Sequence, residues 1–375
     1  MIPGGQRRKR NGGLRGQKPG DPPPLVPGAP AGASVMNHKE GIREFMDKLK
    51  FIAKRLLLAA ITMFLISFVV FFVIQLPPGD FVDTLVTNMI AEGEKVSEAE
   101  IAALRELYGV DRPFLEQYFD WLGGILTGDW GTSFNFNENV LSIILEYLGP
   151  TMMLSIVTLI VQYVVSIPIG IYAAKHQYSV GDYALTLVGF IGMAIPHFLF
   201  AILLMYISYQ LTGTAVMGLF PEGGIVDFAS FLDFLKRLII PIIVIGLGGT
   251  CSSIRSTRAL MLDEQTRPYV LCTRAKGVKE STLTWKYELR AILNPTVSGL
   301  GGIIAGIFNG STITAIVLLL PTLGPILLQA LKTQDVYLSG GILLISATLV
   351  VIGTLISDLL LAVLDPRIQY IEETK

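Results

Sequence analysis

From Leu56 to Leu76 the chain runs 21 residues without a charged side chain. About 20 apolar residues are what an α-helix needs to cross the hydrocarbon core of a bilayer. In that core only helices and closed barrels satisfy their own backbone hydrogen bonds. The run therefore predicts a membrane-spanning helix. A basic amphipathic lead-in, residues 41–55, precedes it, and Gln75-Leu76-Pro77-Pro78 follows. A signal peptide would have a shorter apolar stretch and a small-residue cleavage site, so the expectation is a retained span.

Composition agrees with that class. Hydrophobic residues make up 51% of the 375, and the mean hydropathy is +0.58, too apolar for two soluble domains. Five further apolar stretches extend the pattern: 151–174, 183–211, 238–251, 297–320 and 341–364. The first is expected to be interrupted at Pro168, the second holds Pro196-His197 near its middle, and the third is short and contains Pro241. The expected fold class is all-α: a polytopic membrane protein with six transmembrane helices.

The net charge of −1 hides a strong asymmetry. With the N-terminus inside, the cytoplasmic segments hold 23 of the 29 Lys and Arg residues, and the outside segments hold 6. Positive charge marks the cytoplasmic side of short loops, so both termini are expected in the cytoplasm. Residues 1–40, with Arg7-Arg8-Lys9-Arg10 and Asp21-Pro22-Pro23-Pro24, cannot bury a core and read as a disordered basic, Pro-rich extension. Its basic cluster suits anionic lipid head groups, although a tolerated extension is the plainer reading. Residues 41–76 form the lead-in and first span. Residues 77–148 are a polar excursion whose portion to Glu146 has thirteen acids and three basic residues, which places it outside. Within it, Glu98–Leu107 and Phe114–Leu126 read as helices. Residues 149–370 hold the other five spans.

The longest polar segment of the second half, residues 255–295, carries eight basic and four acidic residues between apolar spans. It reads as two short helices meeting at Gly277. Pro268 fits the first helical position, where a missing N–H costs nothing. Gly277 supplies the left-handed conformation that often ends a helix. Ser281 is placed to cap the next helix, expected to stop before Pro295. Two basic surface helices are also what an ordinary cytoplasmic loop carries.

The run Tyr269-Val270-Leu271-Cys272-Thr273-Arg274-Ala275-Lys276-Gly277, with Leu289-Arg290 and Asn294-Pro295 after it, resembles the cytoplasmic coupling loop of ABC-importer permeases. More narrowly it resembles the oligopeptide/dipeptide permease family, where the loop reads Tyr-Val-x-Thr-Ala-Arg-Ala-Lys-Gly. Pro78-Gly79-Asp80, Tyr108-Gly109-Val110-Asp111-Arg112-Pro113, Gln117-Tyr118, Trp121-Leu122-Gly123-Gly124, Gly128-Asp129-Trp130-Gly131-Thr132-Ser133-Phe134 and Leu364-Asp365-Pro366-Arg367 are similar to that family as well. Thr273 stands where the family often has Ala, Pro268 where an acid is common, and Ala315 where it often has Glu before a Pro-Gly-Leu-Gly turn.

The resemblance implies the type I ABC importer permease fold, with a small helical extracytoplasmic insertion after the first span. It implies a multi-pass protein of a prokaryotic inner (plasma) membrane that imports di- or oligopeptides. Nickel, glutathione or oligosaccharides are the substrates of close relatives. It implies as partners a second homologous permease subunit, one or two cytoplasmic ATPase subunits and an extracytoplasmic solute-binding protein, with membrane lipid around the spans and no nucleic acid. Tyr269, Val270, Thr273, Arg274, Ala275, Lys276 and Gly277 would form the coupling loop that docks on an ATPase. ATP and Mg would sit on the partner subunits, with no cofactor, metal or catalytic residue on this chain.

Candidates for a translocation path are Asn309, Ser311, Thr312 and Thr314, a polar face beside Gly301, Gly302, Gly306 and Gly310, together with His197. Small residues beside polar ones serve close helix packing equally well. His197 beside Pro196 also suits a structural bond to a freed carbonyl. No phosphate-binding Gly-rich loop and no HExxH motif occurs in the sequence. Three histidines in dissimilar settings assemble no nucleophile–base set, which disfavours an intramembrane enzyme. Only His197, in mid-span, and Asp358, about two turns before Asp365 and near enough to the interface to favour a packing or anchoring role, are ionisable groups within the spans, which disfavours a stand-alone secondary transporter. Cys251 and Cys272 are too few for a disulfide framework and are expected to be reduced.

Overall fold

The computed structural model describes residues 38–214, 217–221, 223–224, 226–299 and 312–364. The chain divides at Arg55 into a short leading unit and the main body, residues 55–375. Among the described residues the secondary structure is helical, apart from one isolated bridge between Thr132 and Asn139. The expectations for residues 1–37 lie outside the described residues.

Helix α1 (His38–Ile74) contains the opening apolar run. Three helices follow it, α2 (Phe81–Ala91), α3 (Glu98–Tyr108) and α4 (Phe114–Thr127), of which α4 packs on the end of α1. Helices α3 and α4 match the sequence reading to within one residue, and α2 was not foreseen. Asp80 and Ser97 open α2 and α3 with reciprocal capping boxes, and Gly109 and Gly128 close α3 and α4 in the left-handed region. Phe71 on α1 packs with Tyr118 and Trp121 on α4 and with Leu344 on the last helix. The Tyr118 hydroxyl lies 3.0 Å from that of Ser67.

Helix α5 (Val140–Lys175) is continuous through Pro150 and Pro168, so the interruption expected at Pro168 does not occur. The opposite happens at Pro196. Helices α6 (Val180–Ala194) and α7 (His197–Thr212) are bent by 104°, so residues 183–211 are not one straight helix. Ile195 is extended (ψ 124°), as a residue before proline prefers, and Pro196 caps α7. Helix α8 (Phe228–Gln265) is much longer than the apolar stretch 238–251 and contains Pro241. Among the described residues three helices are long and apolar enough to cross a membrane, at Ala53–Ile74, Val140–Lys175 and Val336–Leu361; the bent α6–α7 pair makes a fourth if it is one span.

Helices α5 and α8 form the main packing pair. A Cβ on Gly170 would lie 2.7 Å from Thr257 Cβ and 2.9 Å from the Ile254 carbonyl, and one on Gly249 would lie 2.5 Å from Gln162 Oε1. Glycine at both positions lets the two backbones approach. The segment ends with α12 (Thr312–Val317), α13 (Leu323–Lys332) and α14 (Val336–Leu364). Ala315, where the resembled family often has Glu, is buried in the apolar cluster with Leu154, Ala201, Val244 and Leu318.

Asp335 fixes the start of α14. It is fully buried and accepts from Ser133 Oγ at 2.6 Å, Asn135 N at 3.1 Å and Leu338 N at 3.0 Å. Three donors satisfy a carboxylate that burial would otherwise penalise. Ser133→Ala removes one charge-assisted bond, so the thermal midpoint should fall by the equivalent of about 1.5–3 kcal/mol. Thermal unfolding in detergent measures it.

Candidate functional site

The polar segment after α8 folds into a compact unit. Thr266 ends α8, Arg267 is extended, and Pro268 is the first residue of α9 (Pro268–Ala275), as its sequence position predicts. Gly277 then turns the chain with φ 76°, and a Cβ there would meet nothing within 4 Å. The expectation for Ser281 is corrected: Lys279 takes the cap position of α10 (Glu280–Thr282) without a side-chain bond. A π-helical turn, Leu283–Glu288, follows, and α11 (Leu289–Ser298) runs through Pro295 instead of stopping before it. The Leu289 N–H reaches the Thr284 carbonyl, five residues back, which is the π register.

One face of α9 is anchored and the other is open. Val270 is fully buried, as is Leu283 on the π turn. Tyr269 and Leu271 are 42% and 51% exposed, and Cys272, Arg274, Ala275, Lys276 and Gly277 are exposed. Of the residues assigned to the coupling loop, Val270 therefore holds α9 to its own chain and the others, with Thr273 half-buried, form the surface.

Polar contacts stiffen that surface. Arg274 grips Glu280 across the Gly277 turn, Nε to Oε1 at 2.5 Å and Nη2 to Oε2 at 3.2 Å. The bond from Arg274 holds the Glu280 carboxyl below its ordinary range. Both side chains are exposed, so the pair adds shape more than stability. The Tyr269 hydroxyl donates to Glu264 at 2.6 Å, and burial together with that carboxylate pushes its ionisation up.

The candidate path residues do not form one cluster. Asn309, Ser311 and the glycines from 301 to 310 lie outside the described residues. Thr312 lies in α12, where a Cβ on Gly324 would come 2.8 Å from its hydroxyl, and Thr314 is 1% exposed. His197 is the first residue of α7, at the bend, and its Nε2 lies 2.8 Å from where Gly248 would carry a Cβ.

Two features escaped the sequence reading. Ser155, Thr158, Gln162 and Ser166 are buried on one face of α5 at helical spacing, and Gln162 donates to Ser253 on α8 at 2.9 Å. That 3–4–4 spacing was visible in the sequence, but its apolar surroundings masked it. Asp182 near the start of α6 is 2% exposed and receives both forks of Arg258, Nε to Oδ1 at 2.6 Å and Nη2 to Oδ2 at 2.7 Å. Seventy-six residues separate the partners, so no local pattern signals the pair. Asp358 pairs with Arg55 on α1 at 2.7 Å, a contact that ties the last helix to the first. Among the described residues no group of three His, Cys, Asp or Glu side chains is arranged to hold a metal ion.

Comparison with known proteins decides the family. Residues 166–370 match the family described as binding-protein-dependent transport system inner membrane component, and residues 48–156 match its N-terminal counterpart. The chain belongs to this family. The oligopeptide transport system permease protein AppB of Bacillus subtilis is 34% identical over 326 residues, covering 85% of this chain and 99% of the relative. A putative peptide permease of Brucella ovis is 32% identical, covering 86% and 99%. The dipeptide transport system permease protein DppB of Lactococcus lactis is 28% identical, covering 85% and 99%. The chain is thus an ABC transport permease of the inner membrane, a multi-pass transport component and not an enzyme. Its place in such a system implies ATPase and binding-protein partners. In this permease α9 and Gly277 carry the residues that resemble the coupling loop.

Proposed function

We propose that this permease imports di- or oligopeptides as one of two membrane subunits, with its α9 surface docked on an ATPase subunit. The observation that carries the docking is α9 itself: a helix anchored by a buried Val270 whose other face presents Tyr269, Leu271, Arg274 and Lys276. The peptide substrate is supported by the relatives, named as oligopeptide and dipeptide permeases. Six spans with both termini cytoplasmic remain the topology, supported by the 23-to-6 distribution of Lys and Arg. In that topology residues 77–148 are an extracytoplasmic insertion that receives the solute-binding protein, and residues 149–370 are the permease core.

The mechanism needs two conformations, biased from opposite sides. ATP and Mg on paired ATPase subunits draw those subunits together and carry α9 as a rigid lever. Because α8 leads directly into α9 and packs along α5, movement of α9 is transmitted to the spans. The spans then open outward, and a loaded binding protein releases its peptide into the path. His197 at the α6–α7 bend, with Asn309, Ser311, Thr312 and Thr314, supplies polar groups for that path.

Proteoliposomes holding this chain with its partner subunits are expected to accumulate labelled di- and oligopeptides only with ATP inside and the binding protein outside. Accumulation of nickel, glutathione or an oligosaccharide instead would replace the substrate and keep the permease role. Accumulation by this chain alone, without ATP, would reject the role.

A further inference from the structure

Three acidic side chains of the described residues are buried: Asp182, Asp335 and Glu288. Asp182 has Arg258, and Asp335 has three donors. Glu288 has neither. It is 1% exposed, and both its carboxyl oxygens lack a hydrogen-bond partner. A charged carboxylate in that position is strongly disfavoured, because nothing replaces the water it lost.

Its location gives this meaning. Glu288 is the last residue of the π turn, which packs against α8, α9 and α11. The Thr284 hydroxyl, one turn before it, donates to the Glu280 carbonyl at 2.9 Å. The charged and titratable groups around it are Lys175 at the end of α5, Tyr269 and Arg274 on α9, and Glu280 on α10. Glu264 on α8 bonds Tyr269, and Arg290 lies two residues along α11. Arg274 is already held by Glu280, whereas Lys175 is exposed and makes no ion pair among the described residues.

We propose that Glu288 is a protonation latch of the coupling loop. Its neutral side chain stays buried against α9. On losing its proton to water, the carboxylate leaves that site toward Lys175, shifts α9 and weakens docking of the ATPase. The inference rests on the docking role of α9 proposed above. Burial is the main force raising the Glu288 carboxyl above its ordinary range. The Glu280 charge reinforces it and the Lys175 and Arg274 charges oppose it, while the Thr284 hydroxyl nearby is turned to the Glu280 carbonyl and not to the carboxyl. The sign follows. Below the ordinary carboxylate range Glu288 is protonated whether the chain is folded or not, and no penalty arises. As pH rises, the unfolded chain gives up the proton first, so the folded loop loses stability until the buried group ionises.

The test measures two quantities on the purified membrane complex, with wild type, Glu288→Gln and Lys175→Met. One is the thermal midpoint, and the other is the affinity of the membrane subunits for the purified ATPase subunit, each from about pH 5 to about pH 9, a range that starts just above the ordinary carboxylate range and reaches the values known for buried carboxyls. Glutamine mimics the protonated acid in shape and cannot ionise. Wild-type affinity is expected to fall about tenfold across the range, while Glu288→Gln stays within about twofold and gains in relative thermal midpoint as pH rises. Lys175→Met should move the fall to higher pH, because the ionised carboxylate loses its cationic partner. Identical affinity profiles for wild type and Glu288→Gln would overturn the latch, even if the midpoints diverge. Failure of the ATPase subunit to bind any form at any pH would instead reject the docking role of α9, and the latch with it.

Discussion

Gly277→Val is expected to abolish coupled uptake while the spans still insert. Gly277 has φ 76°, a region that valine enters only under strain. A residue held there costs about 1–3 kcal/mol, and a loop turn with alternatives will relax instead of bearing it. Since no atom lies within 4 Å of a Cβ at Gly277, the effect is one of backbone conformation and not of collision. Relaxation would re-aim Lys276 and the Arg274–Glu280 grip that spans the turn. Uptake should drop about tenfold or more, the rate equivalent of some 1.4 kcal/mol, with ATP hydrolysis either uncoupled or lost with assembly. Gly277→Asn is the control: asparagine tolerates the left-handed region, and uptake should stay near wild type. Normal uptake by the valine variant would remove α9 from the coupling pathway.

Arg258→Ala is expected to produce the largest loss of stability among single charge removals. It leaves Asp182 buried at 2% exposure, with only the Tyr178 N–H still donating to it. Breaking a buried pair in this way costs about 3 kcal/mol, because the remaining charge is uncompensated. The pair joins the start of α6 to the far half of α8, so the loss should appear as reduced folded yield and a lower thermal midpoint in detergent. Replacing both partners, Asp182→Leu with Arg258→Met, should recover most of the loss. A double variant as unstable as the single one would mean that the pair does more than satisfy its own charges.

Local chemistry made the centre of this fold readable. A charge-free run of membrane length becomes the apolar part of α1, and proline at the first turn with glycine past the last bounds α9. Where the outcome depended on what surrounds a residue, the sequence was ambiguous. Pro168 and Pro241 lie inside helices that packing keeps intact, while Pro196 starts a new helix at a sharp bend. All three look alike in an apolar run, because the deciding factor is whether neighbouring helices support the freed carbonyl. The same holds for the coupling loop. Ser281 had the chemistry of a cap, but the chain enters that helix two residues earlier and winds into a π turn, which no propensity signals. Asp182–Arg258 and Asp335–Ser133 are long-range pairs, visible only once the helices are side by side. The coupling-loop residues were named from a family motif, and the structure adds that all but Val270 and Thr273 are exposed around a short helix anchored on one side. The path residues were not legible, since polar groups in a span serve packing and passage equally.

The most direct test of docking uses the chain's own thiols. Cys272 is exposed on α9, and the one other cysteine, Cys251, is buried. Maleimide labelling should therefore report on α9 alone. The measurement is the labelling rate of Cys272 in the membrane subunits with and without the bound ATPase subunit. If α9 is the docking helix, Cys272 reacts readily in the free permease and is protected at least several-fold in the complex, with a short cross-linker joining it to the ATPase subunit. Equal labelling in a complex that demonstrably contains the ATPase subunit would contradict the account and move the coupling surface elsewhere on the chain.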